Sequence, residues 1–301
     1  MKYRILLFYK YTKITDTTTL LEREKSVCNV LGLKGRIIIA EEGINGTVEG
    51  TYEATEKYIA HLKSDKRFKS INFKESEGIG NAFPKLMIRI RKELVGQRFD
   101  QKIDPTKQTG KYLDPSELHK WYRDSKDDFV IVDMRSKYET AVGIFDKTID
   151  IEVDASRDVV RSKALSEIKR LQKEENKKIV TVCTGGVKCE KMSAYLLDQG
   201  IDNVWQLHNG IHAYMQKFPA EDFKGALYTF DGRVTMDFGD GKNKKREVYG
   251  KCIKCSAPSE TFYDIHEEGK RLGNESHVIM CDDCAAASDV IQHRSDVLAA
   301  A

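Results

Sequence analysis

The sequence predicts a chain of mixed α/β and α+β class in three parts. These are a ferredoxin-like βαββαβ domain over residues 1–95, an α/β domain with a parallel sheet over 108–220, and a small cysteine-rich segment over 221–301. Three observations predict it. Before residue 95, strand and helix patterns follow the order β-α-β-β-α-β, that of a split βαβ unit. Between 108 and 220, continuous apolar runs alternate with helical patterns, as in a parallel sheet covered on both faces. Beyond 220, apolar runs become scarce and two Cys-x-x-Cys pairs appear.

Taken in order, YRILLFYKYT at 3–12 reads as a strand. TTTLLEREKSVCNVLGL at 17–33 has helical spacing, with Leu20, Leu21, Val27 and Leu31 on one side and Asp16 as its cap. RIIIAEEGINGTVEG at 36–50 reads as strand, turn and strand, the turn formed by Gly43, Asn45 and Gly46. ATEKYIAHLKS is helical again, and INFKES and KLMIRIRKEL close the domain as strands. In the last of these, Arg89 and Arg91 fall on one face and Ile88 and Ile90 on the other. A connector near 95–111 precedes a helix capped by Asp114 with Pro115 at its first position. FVIVDMR, KKIVTVC and NVWQL are the apolar strands of the second domain, with helices from about 189 and about 210. In the tail, CAAASDVIQHRSDVLAA reads as a short helix.

Charge and composition exclude several classes. The 301 residues carry a formal net charge of only +3, but residues 1–100 hold 19 Lys+Arg against 13 Asp+Glu. A polyanion would be drawn to that part. Lys85, Arg89, Arg91 and Lys92 form a candidate basic stripe, either a contact for a polyanion's phosphates (RNA-binding, should the partner be RNA) or an ordinary solvated face. Phe8, Tyr9 and Tyr11 are candidates for stacking on bases or for core. No apolar run is long enough to span a membrane. The start, MKYRILLFYKYT, lacks the apolar length and cleavage site of a secretory signal. A cytoplasmic, reducing location is expected, where the seven cysteines are ligands or reagents rather than disulfides.

CTGGVKCEK at 183–191 carries the chemistry. Cys183 ends an apolar strand, and Gly185 and Gly186 let successive N–H groups turn toward one point before a helix begins. Thr184, Gly185, Gly186, Val187 and Lys188 form the active-site loop, and Lys188 adds a mobile positive charge. Such a cradle lowers a thiol pKa and makes a nucleophile. Cys189 either packs or resolves a disulfide or persulfide on Cys183. A phosphatase needs an arginine six positions after the cysteine, and position 189 is a cysteine. In the tail, Cys252, Cys255, Cys281 and Cys284 form two pairs separated by 25 residues, the spacing of a four-thiolate zinc site. His266 and His277 lie in that interval, as further ligands or as surface histidines.

CTGGVKCEK resembles the active-site loop of rhodanese domains, whose cysteine carries a persulfide. VDMRSKYETAVGIF at 132–145 and NVWQLHNGIHAY at 203–214 resemble two further rhodanese segments. In that resemblance Asp133 and Arg135 hold the loops. Two positions depart from the pattern: Lys188 stands where arginine is usual, and Asn209-Gly210 where Gly-Gly is usual. With the basic (acylphosphatase-like) N-terminal domain carrying EEGINGT and the cysteine-rich tail, nearly the whole chain is similar to the rhodanese-related tRNA uridine hydroxylases. That resemblance implies an oxidoreductase of tRNA modification that converts wobble uridine to 5-hydroxyuridine. Dioxygen would be the co-substrate, the anticodon region of tRNA the partner, and Cys183 the catalytic sulfur. EEGINGT is then either a plain turn or a loop that approaches the RNA. No flavin or haem motif is recognisable. A sulfurtransferase that passes persulfide sulfur from Cys183 to an acceptor is the alternative.

Overall fold

The structure is a computed structural model. It describes residues 2–124, 128–149, 157–158, 164–239, 246–267, 270–271, 277–288 and 291–296. These form two compact units, one of residues up to 98 with 104–108, the other of 99–103 and 109 onward.

The first unit contains β1 (Tyr3–Tyr11), α1 (Thr17–Val30), β2 (Lys34–Ala40), β3 (Gly43–Thr51), α2 (Tyr52–Ser64), β4 (Asn72–Gly78) and β5 (Leu86–Ile90). The sheet order is β4-β1-β3-β2-β5. Its first four strands are antiparallel neighbours, and β5 joins the edge parallel to β2. This is the ferredoxin-like order with a fifth strand added. Leu6, Phe8, Ile37, Ile39, Ile44 and Val48 pack against Leu20 and Cys28 of α1 and Tyr58 and Leu62 of α2. Glu24 is fully buried among them, taking the Tyr58 hydroxyl and the His61 ring nitrogen, each at 3.0 Å.

Three expectations for this unit need correction. Asp16 gives α1 no side-chain cap, because its carboxylate is held by Arg67. The turn of EEGINGT lies at Glu41–Glu42, and Asn45 and Gly46 stand inside β3. Gly46 is needed for packing: a Cβ there would sit 2.5 Å from the Phe8 ring. Ile90, expected on the inner face of β5, is 43% exposed, although Ile88 does pack on the core.

The second unit begins with β6 (Lys111–Leu113), α3 (Pro115–Arg123), β7 (Phe129–Asp133), α4 (Lys137–Thr140) and β8 (Gly143–Phe145). It continues with α5 (Ala164–Lys173), β9 (Lys178–Val182), α6 (Val187–Asp198), β10 (Val204–Leu207) and α7 (Gly210–Lys217). Asp114 caps α3 by accepting the Ser116 N–H at 2.8 Å. Strands β6-β10-β9-β7 form one parallel sheet. All five residues of β7 are buried because both faces are covered. Val130, Val132 and Ile179 meet α5 and α6, while Phe129, Ile131, Val180 and Val182 meet α3 and α7. In such sheets the functional loops lie beyond the carboxyl ends of the strands. Cys183 follows β9, a central strand.

The tail supplies β11 (Phe223–Gly225), antiparallel to β8, then β12 (Leu227–Tyr228) paired with β13 (Thr235–Met236). Next come β14 (Phe262–Glu267), β15 (Lys270–Arg271), β16 (His277–Ile279), α8 (Asp282–Ala286) and β17 (Ile291–His293). Within the expected terminal helix the described residues are helical in α8 and again at 294–296, Ile291–His293 instead joins β14 as a strand, and residues 289–290 and 297–300 lie outside the described residues. Among the described residues no helix is long and apolar enough to cross a membrane.

Candidate active site

The loop after β9 is shaped by two anchors. Gly186 has φ +98° and its N–H points at the Cys183 Sγ, 3.2 Å away. On the other side, the Ile211 and His212 amides of α7 take the carbonyls of Cys183 and Thr184, at 2.9 and 3.1 Å. A trans peptide places its N–H opposite its C=O. Anchoring those two carbonyls on α7 therefore turns the Thr184 and Gly185 N–H groups away from α7. Gly210 makes the close approach: a Cβ there would meet the Cys183 and Thr184 carbonyl oxygens at 2.6 and 2.7 Å. Asn209, the departure from Gly-Gly, holds φ +62°, a left-handed conformation that asparagine tolerates better than most residues.

Cys183 is 2% exposed and free, and Cys189 is fully buried beside it in the same core cluster. Burial alone would push the Cys183 thiol up. The Cys189 thiol bonded to its sulfur, the Lys188 charge and the Cys189 and Gly186 amides outweigh burial, and its pKa falls to about 6. Burial and the Cys183 sulfur push Cys189 the other way, well above the ordinary thiol value. Cys189 therefore stays protonated as the donor of the pair. A thiolate-specific reagent such as iodoacetamide should modify Cys183 at a rate that rises through about pH 6 and then levels, read by mass analysis of the loop peptide. Lys188→Met should move that midpoint upward. A wild-type midpoint near 9 would contradict this electrostatic account.

Lys188 differs from the mobile charge expected. Its ammonium sits 3.2 Å from Glu139 Oε2, a carboxylate almost fully buried. Burial opposes the Lys188 charge, but Glu139 and the Cys183 sulfur overcome it. Glu139 is fixed by a capping box at α4, where its Oε2 accepts the Ser136 N–H at 2.9 Å. Its Oε1 has no hydrogen-bond partner among the described residues. Sequence reasoning did not single out Glu139. The Ser136-x-x-Glu139 spacing was its available signal.

Asp133 and Arg135 have the structural role expected. Arg135 is buried, and its Nε and Nη2 bind Asp133 at 3.0 and 2.7 Å. Its other contacts are the carbonyls of Gly143 at 2.7 Å and Glu139 at 3.1 Å. The guanidinium therefore ties the end of β7 to α4 and β8.

Cys252, Cys255, Cys281 and Cys284 are brought together, with all four Sγ atoms within 4.8 Å of one another. Cys255 and Cys281 are 3.6 Å apart. A tetrahedral zinc ion with Zn–S of about 2.3 Å needs sulfurs roughly 3.8 Å apart, so the donor set fits the metal. His277 is neither a ligand nor a surface histidine. It is buried and paired with Asp264, which also binds Arg294 at 2.6 Å. Lys85, Arg89, Arg91 and Lys92 are all exposed, along and just beyond β5. Phe8 and Tyr11 are core, while Tyr9 is partly buried.

Comparison with known proteins agrees with this architecture. The family "UPF0176 acylphosphatase like domain" matches residues 3–94, "Rhodanese-like domain" 114–217 and "Rhodanase C-terminal" 224–293. A protein of Cytophaga hutchinsonii named tRNA uridine(34) hydroxylase is 46% identical over 283 residues, which cover 94% of this chain and 86% of the relative. A protein of Staphylococcus aureus with the same name is 38% identical over 301 residues, covering 95% and 90%.

Proposed function

The chain belongs to the family of the tRNA uridine(34) hydroxylases, and from this we propose that it hydroxylates uridine 34 of tRNA at C5 with Cys183 as the catalytic sulfur. The observation that carries the residue assignment is the cradle around Cys183, where the Gly186 N–H points at Sγ from 3.2 Å and the Lys188 charge favours the thiolate. A thiolate adding to C6 of uracil makes C5 electron-rich, hence reactive toward an oxidant. Dioxygen supplies the inserted atom. Its second atom leaves as water and draws two electrons from a reductant, which an assay must provide. Lys188 and Glu139 set the charge around the sulfur, and Cys189 donates to it.

One observation favours a second reading. Cys183 is only 2% exposed, and a sulfane sulfur carried on it would move the reactive atom outward by about 2 Å. The chain would then pass sulfur to an acceptor. Nucleoside analysis of tRNA from a deletion strain separates the two. Hydroxylation predicts loss of an oxygen-bearing wobble uridine, restored by this chain. Loss of a sulfur-bearing one instead would refute it.

The four tail cysteines would hold a structural zinc ion, which stabilises the fold around β14 and α8 and takes no part in the reaction. Metal analysis of the purified chain should find about one zinc per chain. Cys252, Cys255, Cys281 and Cys284 should resist a thiol reagent until a chelator is added, read by mass analysis of their peptides. Immediate reaction of the four, with no metal present, would remove this assignment.

A further inference from the structure

We infer that the first unit carries its own RNA-binding site, a cavity at the β5 edge that takes an unpaired nucleotide of the tRNA by its base and phosphate. This rests on the reading that tRNA is the substrate. None of its residues belongs to the Cys183 loop.

The cavity has a volume of about 1040 Å³, at the upper end of the range for small-ligand sites. Ile38, Ile90 and Leu94 line it with apolar surface. That surface explains why Ile90 is left exposed on a strand where an inward residue was expected. Arg91, Lys92 and Arg98 also line it, and all three are exposed. Among the described residues none of the three pairs with a carboxylate. Elsewhere in the unit, Arg4, Arg23, Lys57 and Arg67 are each held by Asp or Glu. Three cations without a carboxylate partner among the described residues thus meet apolar surface in one cavity.

Two acids share the lining, Glu41 and Glu93. Glu93 Oε2 is turned to the backbone, accepting the Gln97 and Arg98 N–H groups at 3.1 and 3.4 Å. Arg98 holds φ +53°, a conformation uncommon for arginine. Thr17 lines the cavity at the start of α1, whose cap residue Asp16 is occupied by Arg67.

Apolar surface combined with free cations selects the ligand class. A bare phosphate gains nothing from Ile38, Ile90 and Leu94. A nucleotide does, with its base on the apolar side or stacked on a guanidinium and its phosphate on the cations. A paired duplex keeps its base faces stacked and out of reach, so an unpaired loop nucleotide is the occupant.

The test uses the full chain with Cys183→Ser, so that binding is read apart from chemistry. Arg91→Ala, Lys92→Ala and Arg98→Ala together should weaken tRNA binding about tenfold or more. The logarithmic salt dependence should become shallower by roughly 2, since each single-strand phosphate contact contributes about 0.7. Lys66→Ala with Lys69→Ala, two exposed cations outside the cavity and outside the β5 stripe, should change affinity by less than about twofold. Ile90→Asp should also weaken binding while removing no cation. All these positions are exposed, and an unchanged melting temperature checks the fold. Wild-type affinity and salt slope in the triple variant would overturn the inference. So would equal losses in the triple and the control pair, or loss of inorganic phosphate binding with tRNA binding intact. If the wild-type chain hydroxylates tRNA while any of these holds, this inference alone fails. If the wild-type chain does not hydroxylate tRNA, the functional reading beneath it fails.

Discussion

Cys183→Ser is expected to stop 5-hydroxyuridine formation, lowering the rate about ten-thousand-fold or more, as loss of a covalent nucleophile does elsewhere. A serine hydroxyl in the same cradle stays protonated at neutral pH. The Gly186 N–H and the Lys188 charge that favour a thiolate cannot bring an alkoxide within reach. Nor can a hydroxyl carry a sulfane sulfur, so both readings of the loop predict inactivity. The variant should keep its tRNA affinity, because a side chain 2% exposed offers almost no contact surface. Equal loss of binding and turnover would mean that the substitution damaged the loop rather than the chemistry.

The second large effect concerns stability. Arg135→Met should destabilise the second unit by about 3–5 kcal/mol, read as a lowered midpoint in urea denaturation. The side chain is fully enclosed and binds the buried Asp133 carboxylate and the carbonyls of Glu139 and Gly143. Methionine fills similar space but leaves Asp133 charged and unpaired and two carbonyls without donors. Arg135→Met with Asp133→Leu removes both charges and should recover part of the loss. If the single variant is as stable as wild type, the β7–α4–β8 connection is held by packing alone.

Local pattern made much of this chain legible. The apolar runs FVIVD and KIVTV are buried strands because helices cover both faces of their sheet. The Gly pair after Cys183 marked a cradle, and Gly186 does supply its positive φ and its N–H. What stayed hidden depends on partners far away in sequence. Lys188 looked mobile because Glu139 is 49 residues earlier. Asn45-Gly46 looked like a turn because that dipeptide usually is one, yet Gly46 is fixed by the Phe8 ring on the neighbouring strand. Asp16 looked like a cap until Arg67, far along the chain, took its carboxylate. The expected tail helix is interrupted at Ile291–His293 because β14 offers these residues an edge.

The most direct test of the central claim gives purified chain, a thiol reductant and unmodified tRNA isotopically labelled dioxygen, then measures the accurate mass of the wobble nucleoside. Isotope labelling matters because a gained oxygen atom and an exchange of oxygen for sulfur are nominally equal in mass. The account predicts one labelled oxygen at C5 with wild-type protein and none with Cys183→Ser. An unlabelled product, a sulfur-bearing product, or labelled product from Cys183→Ser would contradict it.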